Sequence, residues 1–204
     1  LNQSLKAARF ISKKEVNVMD SGRINIQFCG FGGQGIVLLA VLFGTTAVTK
    51  AGRYAVQTQS YGSEARGGEC QAEVIVSKEI IHSPLADQMD ILVAMSQSAL
   101  DKYLPRLKPE GYLFYDPEYV AEPECSDIKC FRVPATQIAG DLGVTLAANM
   151  VMLGFIQQAT GLFSADNMLA IVGENVPEKF IDVNLEAAKR GSALAKDAGV
   201  RAEV

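Results

Sequence analysis

Apolar and polar positions change period several times along this chain. An apolar run from Ile24 to Cys29 is followed by glycine-rich residues, and a second run opens at Ile36. That order predicts strand, turn, helix, with the helix from Gln34 to Lys50. The helix is apolar nearly all round, so burial between a sheet and another surface is expected. Lys50 suits the negative end of its dipole, and Gly52 suits a left-handed cap. Arg53 to Gln59 reads as a second strand, and Cys70 to Val76 alternates like a strand with one wet face. Asp90 to Met95 is a continuous apolar run, as in a buried parallel strand. Ser96 then caps a helix from Gln97 to Leu107, Gly111 to Tyr115 is another strand ending in an Asp116-Pro117 turn, and a weaker strand lies near Lys129 to Val133. Helices are expected from Ala135 to Asp141, Ala147 to Thr160, Ala165 to Val172 and Pro177 to Asp197. Ser164 and Pro177 act as start signals for the last two. Strands alternating with helices imply an α/β fold with a mostly parallel sheet and a helical C-terminal third, which wraps the sheet or reaches to a partner.

Composition narrows the picture. With 204 residues the chain is one domain with a full core, residues 23–204, preceded by an extension at 1–22 outside that core. The extension is polar and basic, with Lys6, Arg9, Lys13 and Lys14, and Met19 is a candidate natural start. It has no long apolar segment and no small-residue cleavage site, which reads against a secretory signal; Glu15 and Asp20 break the pattern of a transit peptide. A net charge of −4 argues against a nucleic-acid binder, and no stretch has the length of an apolar membrane span. Cys29, Cys70, Cys125 and Cys130 form no C-x-x-C, and His82 is the single histidine, so no zinc or iron–sulfur ligand set is evident. The cysteines are expected to be reduced, as in a cytoplasmic protein. His82 reads as polar surface, Cys29 as a small buried packing residue, and Met150 and Met152 as core or interface.

Gly30-Phe31-Gly32-Gly33-Gln34-Gly35 fits G-x-G-x-x-G: Gly30 for a sharp turn, Gly32 for close backbone approach, Gly35 for tight helix–strand packing. The fold expected from it is a Rossmann-like three-layer domain. Free amides at such a helix start receive an anion, either a phosphate or a partner's carboxylate. A dinucleotide site needs an acidic residue about 20 positions on, yet there is no Asp or Glu between Gly35 and Glu64. The second informative stretch, Ser60-Tyr61-Gly62-Ser63-Glu64-Ala65-Arg66-Gly67-Gly68, is long for a hairpin loop, and glycine-containing loops of that kind carry function. Arg66 either pairs a phosphate or carboxylate in bidentate fashion or pairs with Glu64 at the surface.

In this order, the glycine turn, the Glu-x-Arg-Gly-Gly loop and Ile81-His82-Ser83-Pro84 ahead of an aspartate-led strand resemble the γ subunit of 2-oxoacid:ferredoxin oxidoreductases. The similarity continues through Asn149-Met150-Val151-Met152-Leu153-Gly154, Ala159-Thr160-Gly161 and Lys179-Phe180-Ile181-Asp182-Val183-Asn184. The resemblance implies a complex that converts a 2-oxoacid, coenzyme A and oxidised ferredoxin to acyl-CoA, carbon dioxide and reduced ferredoxin. It implies α, β and δ-type partner subunits that carry thiamine diphosphate, magnesium and iron–sulfur clusters, with none held tightly by this chain. Within the family 2-oxoglutarate leads on overall similarity, with pyruvate, branched-chain 2-oxoacids and arylpyruvates open.

On this resemblance the amides of Gly32, Gly33 and Gly35 face a phosphate of coenzyme A or a polar loop of a partner. Gln34 adds an amide contact or caps the helix. Arg66 neutralises anionic groups near the subunit junction, Glu64 orients it, Ser60 and Tyr61 add hydroxyls, and Gly67 and Gly68 complete the loop. No catalytic residue is assigned. Two other readings stand beside this one: a purely structural assembly subunit, and a stand-alone dinucleotide-binding oxidoreductase.

Overall fold

The computed structural model describes residues 22–61 and 68–200. The extension, including Met19, lies outside the described residues except for Gly22, as do Glu64, Arg66 and Gly67. Strand β1 (Arg23–Phe31) leads into helix α1 (Ile36–Ala51) and β2 (Tyr54–Tyr61). Next come β3 (Glu69–Ser77), β4 (Met89–Ala94), α2 (Gln97–Tyr103), β5 (Leu107–Tyr115) and β6 (Lys129–Arg132). Four helices close the chain: α3 (Ala135–Asp141), α4 (Ala148–Thr160), α5 (Ala165–Asn175) and α6 (Ile181–Asp197).

The six strands form one sheet in the order β2-β3-β1-β4-β5-β6. β1, β4, β5 and β6 are parallel neighbours, while β3 runs antiparallel to both β1 and β2. The sheet is therefore mostly parallel, with one reversed strand, as expected for the α/β class. Because side chains alternate along a strand, β1 sends Ile26 and Phe28 into the larger core and Cys29 into the smaller one. The larger core holds α1 and the C-terminal helices, and the smaller holds α2. The C-terminal third thus wraps the sheet. Its aromatic contacts tie layers together: Phe43 lies edge-on to Phe163 at 5.0 Å, and Phe114 edge-on to Phe155 at 5.8 Å. Such pairs add about 0.5–1.5 kcal/mol each beyond their buried area. Met150 and Met152 are buried in this core.

Several expected boundaries move, each for a local reason. α1 begins at Ile36 and not Gln34, because Gly35 is left-handed and stands as the N-cap. β2 runs on to Tyr61, since β3 supplies a partner as far as Tyr61↔Cys70; Ser60 and Tyr61 are strand and not loop. The helix after Ser96 stops at Tyr103, because Pro105 lacks an N–H and forces a 3-10 turn at Leu104–Arg106; Leu107 already belongs to β5. Pro177 precedes a 3-10 turn at Glu178–Phe180, and α6 starts only at Ile181. Ser96 and Ser164 cap as expected, accepting from Ala99 and Asn167 N–H. Gly52 is the left-handed cap of α1.

The cysteine expectation is corrected in part. Cys29 and Cys70 are free and buried, but Cys125 and Cys130 are joined in a disulfide, their Cα atoms 6.1 Å apart. The loop before β6 folds back far enough to bring two cysteines five positions apart into bonding reach. Asp116 also does more than turn the chain. Fully buried, its carboxylate accepts from Glu118 N–H at 3.1 Å, from Thr136 N–H at 2.8 Å and from the Thr136 hydroxyl at 2.7 Å, which ties the end of β5 to the start of α3.

On the α2 side of the sheet the β1–β3 region is polar. Arg106 pairs with Glu73, reaches Gln27 Oε1 at 3.3 Å and donates to the Ala86 carbonyl at 2.6 Å. One guanidinium thus holds the turn before β5, two strands and the β3–β4 connection together. His82, in that connection, is exposed.

Candidate functional site

α1 leaves β1 on one face of the sheet, and α2 leaves β4 on the other. The C-terminal ends of β1 and β4 are therefore the point where crossovers diverge, the position at which open α/β sheets receive ligands. The glycine turn lies there, and its internal bonding can be followed residue by residue. Gln34 Oε1 accepts from Phe31 N–H at 2.6 Å, and Gln34 Nε2 donates to the Met95 carbonyl at 2.8 Å. The side chain therefore spans the crevice from the end of β1 to the residue after β4. Gln34 N–H closes the turn onto the Phe31 carbonyl at 3.2 Å. Gly30 must lack a side chain for this to fit: a Cβ there would lie 2.5 Å from Gln34 Oε1. Gln34 is thus a brace across the strand ends and not a helix cap.

Gly32 N–H donates to the Gly68 carbonyl at 2.9 Å. This bond fastens the end of the Ser60–Gly68 stretch to the turn, and it removes Gly32 from the set of amides available to an anion. Gly33 and Gly35 N–H have no acceptor among the described residues, and Ile36 opens the helix, where no carbonyl lies one turn before it. Gly33 is exposed with φ +98°, and Gly35 is half-buried with φ +72°. The turn N–H groups without an acceptor among the described residues are thus fewer than expected, those of Gly33 and Gly35, next to the positive end of a 16-residue helix.

Neighbouring elements shape that end. Gly30, Cys70 and Tyr61 form one row across β1, β3 and β2. Tyr61 is well exposed, and Ser60 is exposed on the opposite face of the edge strand, so the two hydroxyls do not converge on one point. Burial pushes the Cys70 thiol up, against a smaller downward pull from the Val37 backbone amide in the first turn of α1. Cys29, next to Gly30, is fully buried and its thiol is pushed far above the ordinary range, chiefly by burial and secondly by the Glu69 charge. Neither thiol has the lowered value of a nucleophile. Among the described residues no group of three or more His, Cys, Asp or Glu is placed to hold a metal, and no helix is long and apolar enough to cross a membrane.

Asn149, in the first turn of α4, was not among the expected site residues. Its Nδ2 donates to the Gly35 carbonyl at 3.3 Å, and a Cβ on Gly35 would lie 2.2 Å from that nitrogen. Gly35 is therefore needed for the approach of α4, not for packing on the strand. Asn149 Oδ1 has no hydrogen-bond partner among the described residues. Leaving such an atom buried and unpaired costs about 1–3 kcal/mol. The sequence signal for it was a polar residue inside the otherwise apolar stretch Ala148 to Ile156.

Comparison with known proteins now bears on the identity of this turn. The family model described as "Pyruvate ferredoxin/flavodoxin oxidoreductase" matches residues 25–194. The chain belongs to that family. It is 44% identical over 179 residues to 2-oxoglutarate synthase subunit KorC of Methanothermobacter thermautotrophicus, covering 84% of this chain and 95% of that one. The γ subunit of a keto/oxoacid ferredoxin oxidoreductase from Geobacter sulfurreducens has the same fold, with a TM-score of 0.75, 35% identity, and coverage of 85% of this chain and 99% of that one. The fold also matches part of the 2-oxoglutarate:ferredoxin oxidoreductase from Magnetococcus marinus, at a TM-score of 0.80 and 24% identity over 89% of this chain and 33% of that one. The chain is thus an oxidoreductase subunit of the γ type in the 2-oxoacid:ferredoxin oxidoreductase family.

Proposed function

We propose that this chain serves a complex that oxidatively decarboxylates 2-oxoglutarate, and that its glycine turn receives a phosphate of coenzyme A at the subunit junction. In the reaction carbon dioxide leaves, the electron pair left on the oxo carbon passes singly to oxidised ferredoxin, and the coenzyme A thiol takes the acyl group as its proton is released. Partner α, β and δ-type chains supply thiamine diphosphate, magnesium and the iron–sulfur clusters. This chain supplies backbone donors. The choice of oxoacid rests on the likeness to the KorC subunit. The Magnetococcus enzyme was solved with 2-oxoglutarate, coenzyme A and succinyl-CoA bound, which supports coenzyme A as the anion.

The observation that carries the reading is the pair of N–H groups at Gly33 and Gly35, without acceptors among the described residues, at the start of α1. Arg66 is the side-chain cation we assign to the same junction. The test is calorimetric titration of coenzyme A into the assembled complex carrying Gly33→Ala. A methyl group there meets nothing within 4 Å but stands beside the free amide. Affinity should fall about tenfold, a loss of about 1.4 kcal/mol, with the CoA-independent decarboxylation step unchanged. Unchanged affinity refutes the cradle. It would then favour the assembly reading, which the internal use of Gly32 N–H and the Gln34 side chain already supports.

A further inference from the structure

The two edges of the sheet meet solvent differently. β6 is four residues long, carries Lys129 and Arg132, and follows the loop closed by Cys125 and Cys130. Short length and charge protect an edge from pairing with another chain. β2, at the other edge, is eight residues long, and its sequence Tyr-Ala-Val-Gln-Thr-Gln-Ser-Tyr holds no charge, proline or glycine. Its register with β3 is unbroken from Tyr54 to Tyr61, so no bulge turns it aside. Among the described residues no strand pairs with its outer side. Such a strand is a template for a further one.

Helix α1 adds an apolar flank to the same edge. It packs on β2 and β3 and, on one side, on α5. Gly44 faces the sheet, since a Cβ there would lie 3.6 Å from Val74 of β3. Val41 and Val48, one turn before and one turn after Gly44, share its side of the helix, yet they are 36% and 44% exposed. Leu39, Leu42 and Thr46, on the opposite flank, are fully buried. The two valines therefore overhang the open edge. From Ile36 to Thr49 the helix holds no charged residue. Val74 is paired with Gln57 of β2, so the midpoint between Val41 and Val48 lies level with Gln57.

We propose that β2 pairs antiparallel with β2 of a second copy of this chain, about a two-fold axis through Gln57. That axis, perpendicular to the sheet, sets Gln57 opposite itself, Val56 opposite Thr58, Ala55 opposite Gln59 and Tyr54 opposite Ser60. An amide side chain carries both donor and acceptor, so Gln57 is its own complement. Val56 and Thr58 form a β-branched pair. The same axis lays the two α1 helices side by side and antiparallel, with Val41 of one against Val48 of the other, because the two valines stand equally far from its level. The strand supplies backbone bonds and the helix supplies apolar area. An uncharged flank does not repel a copy of itself, which favours this occupant over a partner selected by charge. In the assembled enzyme the contact joins two complexes through their γ-type chains.

The test is oxidative cross-linking of the assembled complex carrying Gln57→Cys. Opposite residues of an antiparallel pair stand close enough for a disulfide bond. Two thiols become one disulfide, and their two electrons and two protons pass to diamide, the added oxidant. The native cysteines do not compete: Cys29 and Cys70 are buried, and Cys125 and Cys130 are already bonded to each other. Most of the chain should run as a covalent homodimer, and little of it in the complex carrying Leu146→Cys, an exposed position just before α4. In sedimentation of the full chain, Gln57→Lys alone and Gln57→Glu alone should each self-associate about tenfold or more weakly than wild type, since like charges then stand opposite. Mixed in equal amounts, the two should recover the wild-type dimer. Cross-linking no greater than that of the Leu146→Cys control overturns the proposal. So does cross-linking to a different subunit, or a mixture that fails to recover, because β2 then meets another chain. Thermal midpoints confirm folding of each charged variant; where one does not fold, the cross-linking result decides.

Discussion

Where α4 crosses α6, glycine serves as a missing side chain; in the turn after β1 it serves as a backbone shape. At the crossing, a Cβ on Gly154 would lie 1.9 Å from the Ala188 carbonyl oxygen, and one on Gly191 would lie 1.9 Å from that of Val151. Each helix places a glycine against the other's backbone, and α6 continues the stripe with Ala187, Ala188 and Ala195. Ser192 adds a hydroxyl bond to the Gly154 carbonyl at 3.0 Å. In the turn, Gly33 has open space around it and a positive φ. The first pair is held by close packing and the second by conformation. Substitutions at the crossing should therefore be read in stability, and those in the turn in ligand affinity as well as in the smaller stability cost of a left-handed backbone.

The crossing is the place to look for the largest effect. Gly154→Val should cost about 3 kcal/mol or more, since the obstruction is backbone that cannot rotate away. For a chain of this size that lowers the thermal midpoint by roughly 10 °C. Gly154→Ala and Gly191→Ala together should cost less than the sum of the two, because the first already parts the helices. An unchanged midpoint would mean that the helices do not meet there.

Gly35 tests the comparison at its boundary, because it combines a left-handed φ with a close neighbour. Gly35→Ala should cost about 1–2 kcal/mol for the conformation alone, with an added amount for crowding Asn149. The added part should vanish in an Asn149→Ala background, while the cost of Gly33→Ala should be the same in both. Denaturant midpoints of the four variants measure this. A Gly35 cost indifferent to Asn149 would place Gly35 with Gly33 as purely conformational.

The smallest effect concerns neither glycine set but the cores beside them. Cys29, Cys70, Tyr103 and Tyr115 all have values pushed up, first of all by burial. A folded value above the unfolded one means the native state keeps a proton that the unfolded chain releases. The stability from Cys29 is complete below about pH 8.5, the unfolded cysteine value, and declines as pH rises past it. Thermal midpoints should hold from pH 7 to about 8.5 and fall by pH 10, and Cys29→Ala should flatten that fall. A midpoint that rises across this window contradicts the burial of the thiol.

Much of the fold was legible because its signals are local. The strand-to-helix switch around Gly30–Gly35, the serine caps and the order of elements each depend on residues within a turn or two of one another. The long-range partnerships were not legible. Arg106 meets Gln27, 79 residues away, and Glu73, 33 away; nothing in its neighbourhood marks it among other arginines. Gly30 and Gly35 were assigned to a turn and to strand packing, whereas the groups that exclude a side chain are Gln34 and Asn149, the latter 114 residues from Gly35. The Cys125–Cys130 bond depended on how the loop before β6 folds.

By itself the amino-acid sequence determined the α/β class, the glycine turn that opens α1 and the resemblance to γ-type subunits, because periodicity, capping and turn chemistry act over a few residues. Only the tertiary structure decided which turn amides stay available, that Gln34 braces the strand ends, and that Asn149 brings an unpaired acceptor to the start of α1. Those outcomes depend on which distant backbone groups compete for each donor and acceptor, and that competition is settled only once the helices have packed on the sheet.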